Sequence, residues 1–311
     1  MQRNLSIDIL KMLLAICVVF LHTHIFYDVS TLLGHSLVQG LFRLAVPIFL
    51  VITGYYFFYI NNFQKYKKWL KRIFILYTVW MLFYFPFWWT KNLSYNFTVL
   101  YNGYFILWYI ISVLLGGSLL YACRNIQDKL LFLLSSILFF TGVLLQQMGN
   151  LHFFHGQVDF ELNQYTTHRN FLFVSFPLLT LGWLLNKYKD RIAQKFQVRL
   201  WHVLVIIGLV LTESLGNYFL ISKQQSLDQM FSLFIAAPVI FLYLLNKNIP
   251  GTHKQIANLS TAIFLIHPFF LYHFKNDFSG QQTMLSFLVL SCSILSGLVL
   301  VQINKKIKYL L

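Results

Sequence analysis

The sequence is short of charge, of acid above all, and of cysteine. Only 11% of its 311 residues are Asp, Glu, Lys or Arg, nine acidic against 24 basic, where a soluble domain has about a quarter charged. With 58% of residues hydrophobic and 19% aromatic, a water-soluble enzyme is excluded. The three cysteines, Cys17, Cys123 and Cys292, lie in or beside apolar runs without metal-ligand spacing, so neither a disulfide framework nor a cysteine-based zinc site is expected. G-x-S-x-G, P-loop, GxGxxG and HExxH patterns are also missing. ATP-driven transport, dinucleotide chemistry and zinc proteolysis thus have no motif behind them, and no metal is expected. The first apolar run has no small-residue cleavage site, so no cleavable signal is expected either.

What is present is a series of long apolar runs with basic residues between them. A net charge of +15 would suggest nucleic acid in a soluble chain. Here the layout is that of a multi-pass membrane protein whose cations meet lipid headgroups, and no nucleic-acid partner is expected. A bilayer core takes about 20 apolar residues per helix. About ten spans are expected on that basis, at 9–27, 38–60, 70–90, 104–122, 130–148, 170–187, 201–221, 228–246, 257–274 and 282–303. The fold expected is therefore all-α, a polytopic helical bundle forming one domain over 1–311. Alternate loops collect 18 of the 24 basic residues: Arg3; Lys65, Lys67, Lys68, Lys71 and Arg72; Arg124 and Lys129; Lys187, Lys189, Arg191, Lys195 and Arg199; Lys247 and Lys254; Lys305, Lys306 and Lys308. The opposite side has only Lys91, Lys223 and Lys275. Both termini are then expected to be cytoplasmic, with an even number of spans and 149–168 as an outward loop.

An ionisable residue inside a span costs on the order of 3 kcal/mol and is a functional candidate by default. The set is Lys11, His22 and His24 in the first span, Arg43 in the second, Arg169 opening the sixth, Glu213 in the seventh and His267 in the ninth. Lys11 and His22 share a helix face about 16 Å apart along the axis, with Asp8 close to that face and His24 on nearly the opposite one. Arg43, Pro47 and Gly54 share a face of the second span by the same counting. With alternating orientation, His22, Arg43, Arg169, Trp108 and Glu213 converge on one layer in the outer half of the membrane. Ser260 and His267 share a face, with His267 near mid-membrane. The plainer readings are a snorkelling Lys11, a His22 bonded to a neighbouring helix, a kinked second span, and a structural ion pair between Glu213 and Arg43 or Arg169. A neutral histidine can take a proton from a hydroxyl or amine attacking an acyl carbon, and flanking arginines can stabilise the oxyanion or hold a carboxylated or sulfated substrate. In-membrane His, Glu and Arg also suit a transporter of a small polar solute such as an amino acid, although no inverted repeat or matched pair of broken helices is visible.

Lys11 with ten residues before His22, the stretch Arg43–Tyr55, Leu107-Trp108-Tyr109, and Ser260 through His267-Pro268, in that order across about ten spans, resemble the acyltransferase-3 family of bacterial membrane proteins. The resemblance implies a plasma-membrane enzyme, an O-acetyltransferase in kind, moving an acyl group, usually acetyl from acetyl-CoA, to a cell-surface glycan or related envelope acceptor. It implies His22 and Arg43 as catalytic residues and Lys11, joined by Arg3 at the cytoplasmic face, as the site for acyl-CoA. Arg169, Trp108, Glu213 and His267 are expected to complete a substrate pocket. The chain departs from the family pattern in having Lys11 for the common Arg, which lacks bidentate phosphate geometry, and Thr53-Gly54 for Ser-Gly. Residues Arg169–Pro177 and Leu107–Gly117 are similar to the membrane half of vancomycin-resistance serine racemases, a branch of the same family. No counterpart of their soluble racemase half is expected here.

Overall fold

The computed structural model describes residues 3–223, 225–251 and 254–311. The architecture is all-α. Among the described residues there are ten helices of twelve residues or more: α1 (Leu5–Thr23), α2 (Ala45–Phe57), α3 (Phe63–Phe83), α4 (Trp108–Cys123), α5 (Asp128–Asn150), α6 (Phe176–Lys187), α7 (Leu200–Leu220), α8 (Leu233–Lys247), α9 (Gln255–Phe274) and α10 (Gln282–Lys306). Strand pairing among them is confined to Arg3–Asn4 against Pro250–Gly251. Each expected span falls on one of these helices. Seven stretches are long and apolar enough to cross a membrane, and eight if Phe171–Lys187 is joined to Lys189–Lys195, which bends 73° away from it. The other two fall short of the expectation of ten. Lys65, Lys67, Lys68, Lys71 and Arg72 load the first half of α3, and α8 has 15 residues.

The third and eighth helices are displaced from expectation for visible reasons. The third helix starts at Phe63 and ends at Phe83 instead of covering 70–90, because Tyr84 breaks it and Pro86 opens a separate short helix, Phe85–Trp88. The eighth starts at Leu233, not 228. The residues before it form an irregular segment whose backbone is satisfied by side chains: Leu227 N–H donates to Gln39 Oε1 at 3.0 Å, Gln229 N–H to Gln146 Oε1 at 2.9 Å, and Phe231 and Ser232 N–H to the Glu213 carboxylate at 2.7 and 2.8 Å. Non-helical backbone at membrane depth survives only where protein partners take its polar groups.

Leu204, Val205 and Leu209 of α7 and Leu295, Leu298 and Val299 of α10 are exposed, the apolar exterior that a bilayer covers. Inside, α2 and α6 touch backbone to backbone. A Cβ on Gly54 would lie 2.0 Å from the Leu179 carbonyl oxygen, and one on Gly182 would lie 2.1 Å from that of Val51, so only glycine fits at either position. Asn186 of α6 ties the same pair by donating to the Tyr55 carbonyl at 2.8 Å. Helix α1 packs on α9, α10, α2 and α8, which puts its last turn inside the bundle.

Candidate active site

His22 occupies that last turn. The helix stops one residue later, where His24 takes the left-handed conformation (φ 55°) and its N–H closes on the Phe20 carbonyl. His22 Nδ1 lies 2.9 Å from the Val18 carbonyl oxygen and 3.2 Å from Nε2 of His267. The bonding fixes both rings. Pro268 has no N–H to offer the Phe264 carbonyl one turn back, and His267 Nδ1 lies 2.8 Å from that oxygen and 3.3 Å from that of Ile263. A ring nitrogen facing carbonyls carries the proton, so His267 Nε2 keeps its lone pair. His22 Nδ1, facing the Val18 carbonyl and that lone pair, is then the donor, and His22 Nε2 is the bare nitrogen. This tautomer assignment is inferred from the bonding partners.

Arginines reach the same place from broken helices. The chain ahead of α2 passes through a π-turn (Ser36–Gly40) and a 3-10 turn (Leu41–Leu44), and Arg43 lies in the second. Arg169 follows the short helix Tyr165–His168, just before a π-turn (Phe171–Ser175) that Asn170 caps by accepting from Leu172 and Phe173 N–H at 3.0 and 3.1 Å. Such wide turns recur at functional sites. Both guanidinium groups converge on Asp228: Arg43 Nη1 donates to Oδ1, and Arg169 Nη1 meets the same oxygen at 3.3 Å. Arg43 is held further by Gln39 Oε1, 3.1 Å from Nε and 2.5 Å from Nη2, and by Ser226 Oγ, 2.8 Å from Nη2. Trp108 and Tyr165 flank Arg169, their ring centres 5.0 and 4.7 Å from its guanidinium carbon. Trp108 is set by Gly103 (φ 84°), where a Cβ would fall 2.5 Å from the Trp108 nitrogen.

Two cavities meet at these residues. A small one of about 50 Å³ reaches from His22, Arg43 and Arg169 to Val18, Pro47, Tyr109, Phe139 and Phe264. The larger, about 760 Å³, is lined by His22, His24, Arg43, Arg169, Asp228 and Trp108 together with Tyr95, Tyr101, Tyr104 and Tyr165. It lies at the lysine-poor end of the bundle. Outside the membrane-length helices, Asp28 anchors the turn after α1. Its carboxylate accepts from Thr283 Oγ1 at 2.5 Å and Thr283 N–H at 3.0 Å, and these bonds hold it below the ordinary carboxylate range.

Of the residues expected from sequence, His22, Arg43, Arg169 and Trp108 are brought together, and His267 joins them. Glu213 lines neither cavity and pairs with neither arginine; Asp228 takes that part, while Glu213 accepts backbone N–H groups ahead of α8. His24 does not face away from the site. Helical angle counting ends with the helix at Thr23, and His24 lines the large cavity. Gly54 does not share Arg43's environment either, because the turns around Arg43 break the helical count. Lys11 is half-buried on α1 and lines neither cavity; the Arg3 side chain lies outside the described residues. Asp228, with Gln39, Ser226 and His168 around it, is the group that sequence reasoning missed. Its signal was the same one that flagged Glu213, an acid within an expected span, but 228 was the span's first residue and passed as an end.

The acyltransferase-domain profile of the acyltransferase-3 family matches residues 4–303. The chain belongs to that family. It is 27% identical to an amino-acid racemase of Enterococcus faecalis over 99% of this chain and 47% of the racemase, and 26% identical to a serine/alanine racemase of Enterococcus gallinarum over 86% of this chain and 41% of that protein. The chain spans less than half the length of these curated relatives. No solved structure matches it.

Proposed function

We propose that the chain acts as one membrane unit that transfers an acyl group, acetyl in size, from cytoplasmic acyl-CoA to a hydroxyl or amine of an envelope acceptor such as a surface glycan. The observation that carries this is the bare Nε2 of His22, in a tautomer set by Val18 and His267, on a residue that borders both a small cavity and a large one. At about 50 Å³ against about 760 Å³ for its neighbour, the small cavity favours a short acyl group over a long chain.

In this reading the CoA phosphates dock at the basic end, at Lys11, Arg3 and the lysine-rich loops, and the pantetheine arm runs alongside α1 to the small cavity. Leu14 and Ala15 are buried on the way, so the arm has to part α1 from its neighbours. The acceptor enters the large cavity. His22 Nε2 takes the proton from the acceptor hydroxyl as its oxygen bonds to the acyl carbon. The His22 Nδ1–H, bonded to Val18 and His267, steadies the imidazolium, much as a base's orienting partner does. Arg43 faces the negative charge on the tetrahedral oxygen. Collapse breaks the carbon–sulfur bond, and His22 returns the proton to the CoA thiolate. Because both cavities share His22, donor and acceptor bind together and transfer is direct.

A transporter of a small polar solute is the second reading, favoured by the size of the large cavity and by the racemase names of the relatives. Acetyl-CoA separates the two. Purified protein is expected to be stabilised thermally by acetyl-CoA, and His22→Ala to lose about 10²–10⁴-fold in turnover while melting like the unmutated chain. Absence of any acetyl-CoA effect would end the enzyme reading. Mass spectrometry of the envelope with and without the gene then identifies the acceptor by a one-acetyl difference.

A further inference from the structure

Charge does not balance in the large cavity. Two guanidinium groups line it, and Asp228 is the only one of the nine acidic residues that does. The bare Nε2 assigned to His22 makes that ring neutral and no source of compensation. The two cations are not equivalent. Arg43 is surrounded by Gln39, Ser226 and Asp228, whereas Arg169 makes one side-chain hydrogen bond among the described residues, 3.3 Å to the Asp228 oxygen that Arg43 already uses. The other Asp228 oxygen lies 3.7 Å from His168 Nε2, so Asp228 does not grip Arg169 with both oxygens. The Arg169 side chain is 24% exposed, against 10% for Arg43 and 4% for Asp228. Trp108 and Tyr165 lie against the guanidinium, and apart from the Asp228 bond its N–H edge has no side-chain hydrogen-bond partner among the described residues.

We infer that this edge is a binding subsite for an oxyanion, a carboxylate or phosphate, carried by the acceptor itself. The inference rests on reading the large cavity as the acceptor's. An oxyanion takes two parallel N–H groups of a guanidinium fork and discharges the residual positive charge. A neutral acceptor filling the same space strips water from those N–H groups and gives nothing back. The subsite therefore selects acceptors by charge, close to the histidine that would deprotonate them.

Isothermal titration of the purified full chain at low salt tests this with methyl glucuronide and glucose 6-phosphate, each against methyl glucoside, which offers a sugar ring and hydroxyls without the anion. At least one anion is expected to bind about tenfold tighter or better than the neutral sugar. Arg169→Gln abolishes the advantage and Arg169→Lys keeps part of it. Preference for the uronide alone assigns a carboxylate; preference for both assigns oxyanions generally. No preference in the unmutated chain, or one that survives Arg169→Gln, overturns the inference. Phenylglyoxal labelling read by peptide mass spectrometry gives the same answer without a variant: Arg169 labels ahead of Arg43, and the anions protect it while methyl glucoside does not. Labelling of Arg169 that no anion slows also overturns it. Acetyl-CoA binding by the same preparation reports on the donor separately. If acetyl-CoA binds and anions show no preference, this inference falls alone. If anions are preferred and acetyl-CoA is ignored, the oxyanion subsite stands and the acyltransferase reading falls.

Discussion

The missing N–H of Pro268 sets the protonation of two rings. It leaves the Phe264 carbonyl to the His267 ring, which turns the lone pair of His267 toward His22 and leaves His22 Nε2 as the nitrogen with a bare lone pair. His267 is thus a positioning residue, and its removal leaves the His22 ring held at Nδ1 by the Val18 carbonyl alone. His267→Ala is expected to lower kcat/KM about 10–100-fold, the scale of a lost charge-assisted hydrogen bond, and to shift the limb of the pH profile set by His22. His267→Gln, whose amide oxygen can accept from His22 Nδ1, should recover part of the rate. Variants with unchanged rate and pH profile would show that His22 is oriented without its partner. Asp228 teaches the complementary point. It is an acid among few, and its role depends on two arginines distant in sequence.

Among the elements, the pair α2 and α6 carries the arginine side of the site, since Arg43 enters just before one and Arg169 shortly before the other. Their backbones meet at Gly54 and Gly182, and close approach of small residues is how helices associate in lipid, where the hydrophobic effect does not drive them together. Gly54→Ala should force the helices apart and cost at least about 1–3 kcal/mol, seen as a lower melting temperature in detergent. Gly208→Ala on α7, where an added Cβ meets nothing within 4 Å, is the control and should melt no lower than the unmutated chain. Equal melting of both variants would show that the backbones do not touch as described. The π- and 3-10 turns flanking these helices explain why periodicity counts failed locally: a face computed at 100° per residue is meaningless across a wider turn.

At the scale of the molecule, two cavities of unequal size share His22. That arrangement predicts a ternary complex. Initial rates with varied acetyl-CoA and acceptor should give intersecting reciprocal plots, and protein incubated with acetyl-CoA alone should show no acetylated His22 peptide by mass spectrometry. Parallel plots and an acetyl-His22 adduct would move the mechanism to a covalent intermediate.

Fold class, the membrane setting, the helices near their true positions and most of the polar residues that gather at the cavities were legible in the chain itself, because each rests on a one-dimensional signal: run length, the spacing of basic residues, and the cost of a polar group in an apolar run. His22 stood out for that reason before any partner was known. Its pairing with His267, 245 residues away, and the choice of Asp228 over Glu213 as the arginines' counter-ion belonged to the tertiary structure. Both depend on where helices break and how deeply neighbours pack, and those are set by contacts between distant segments.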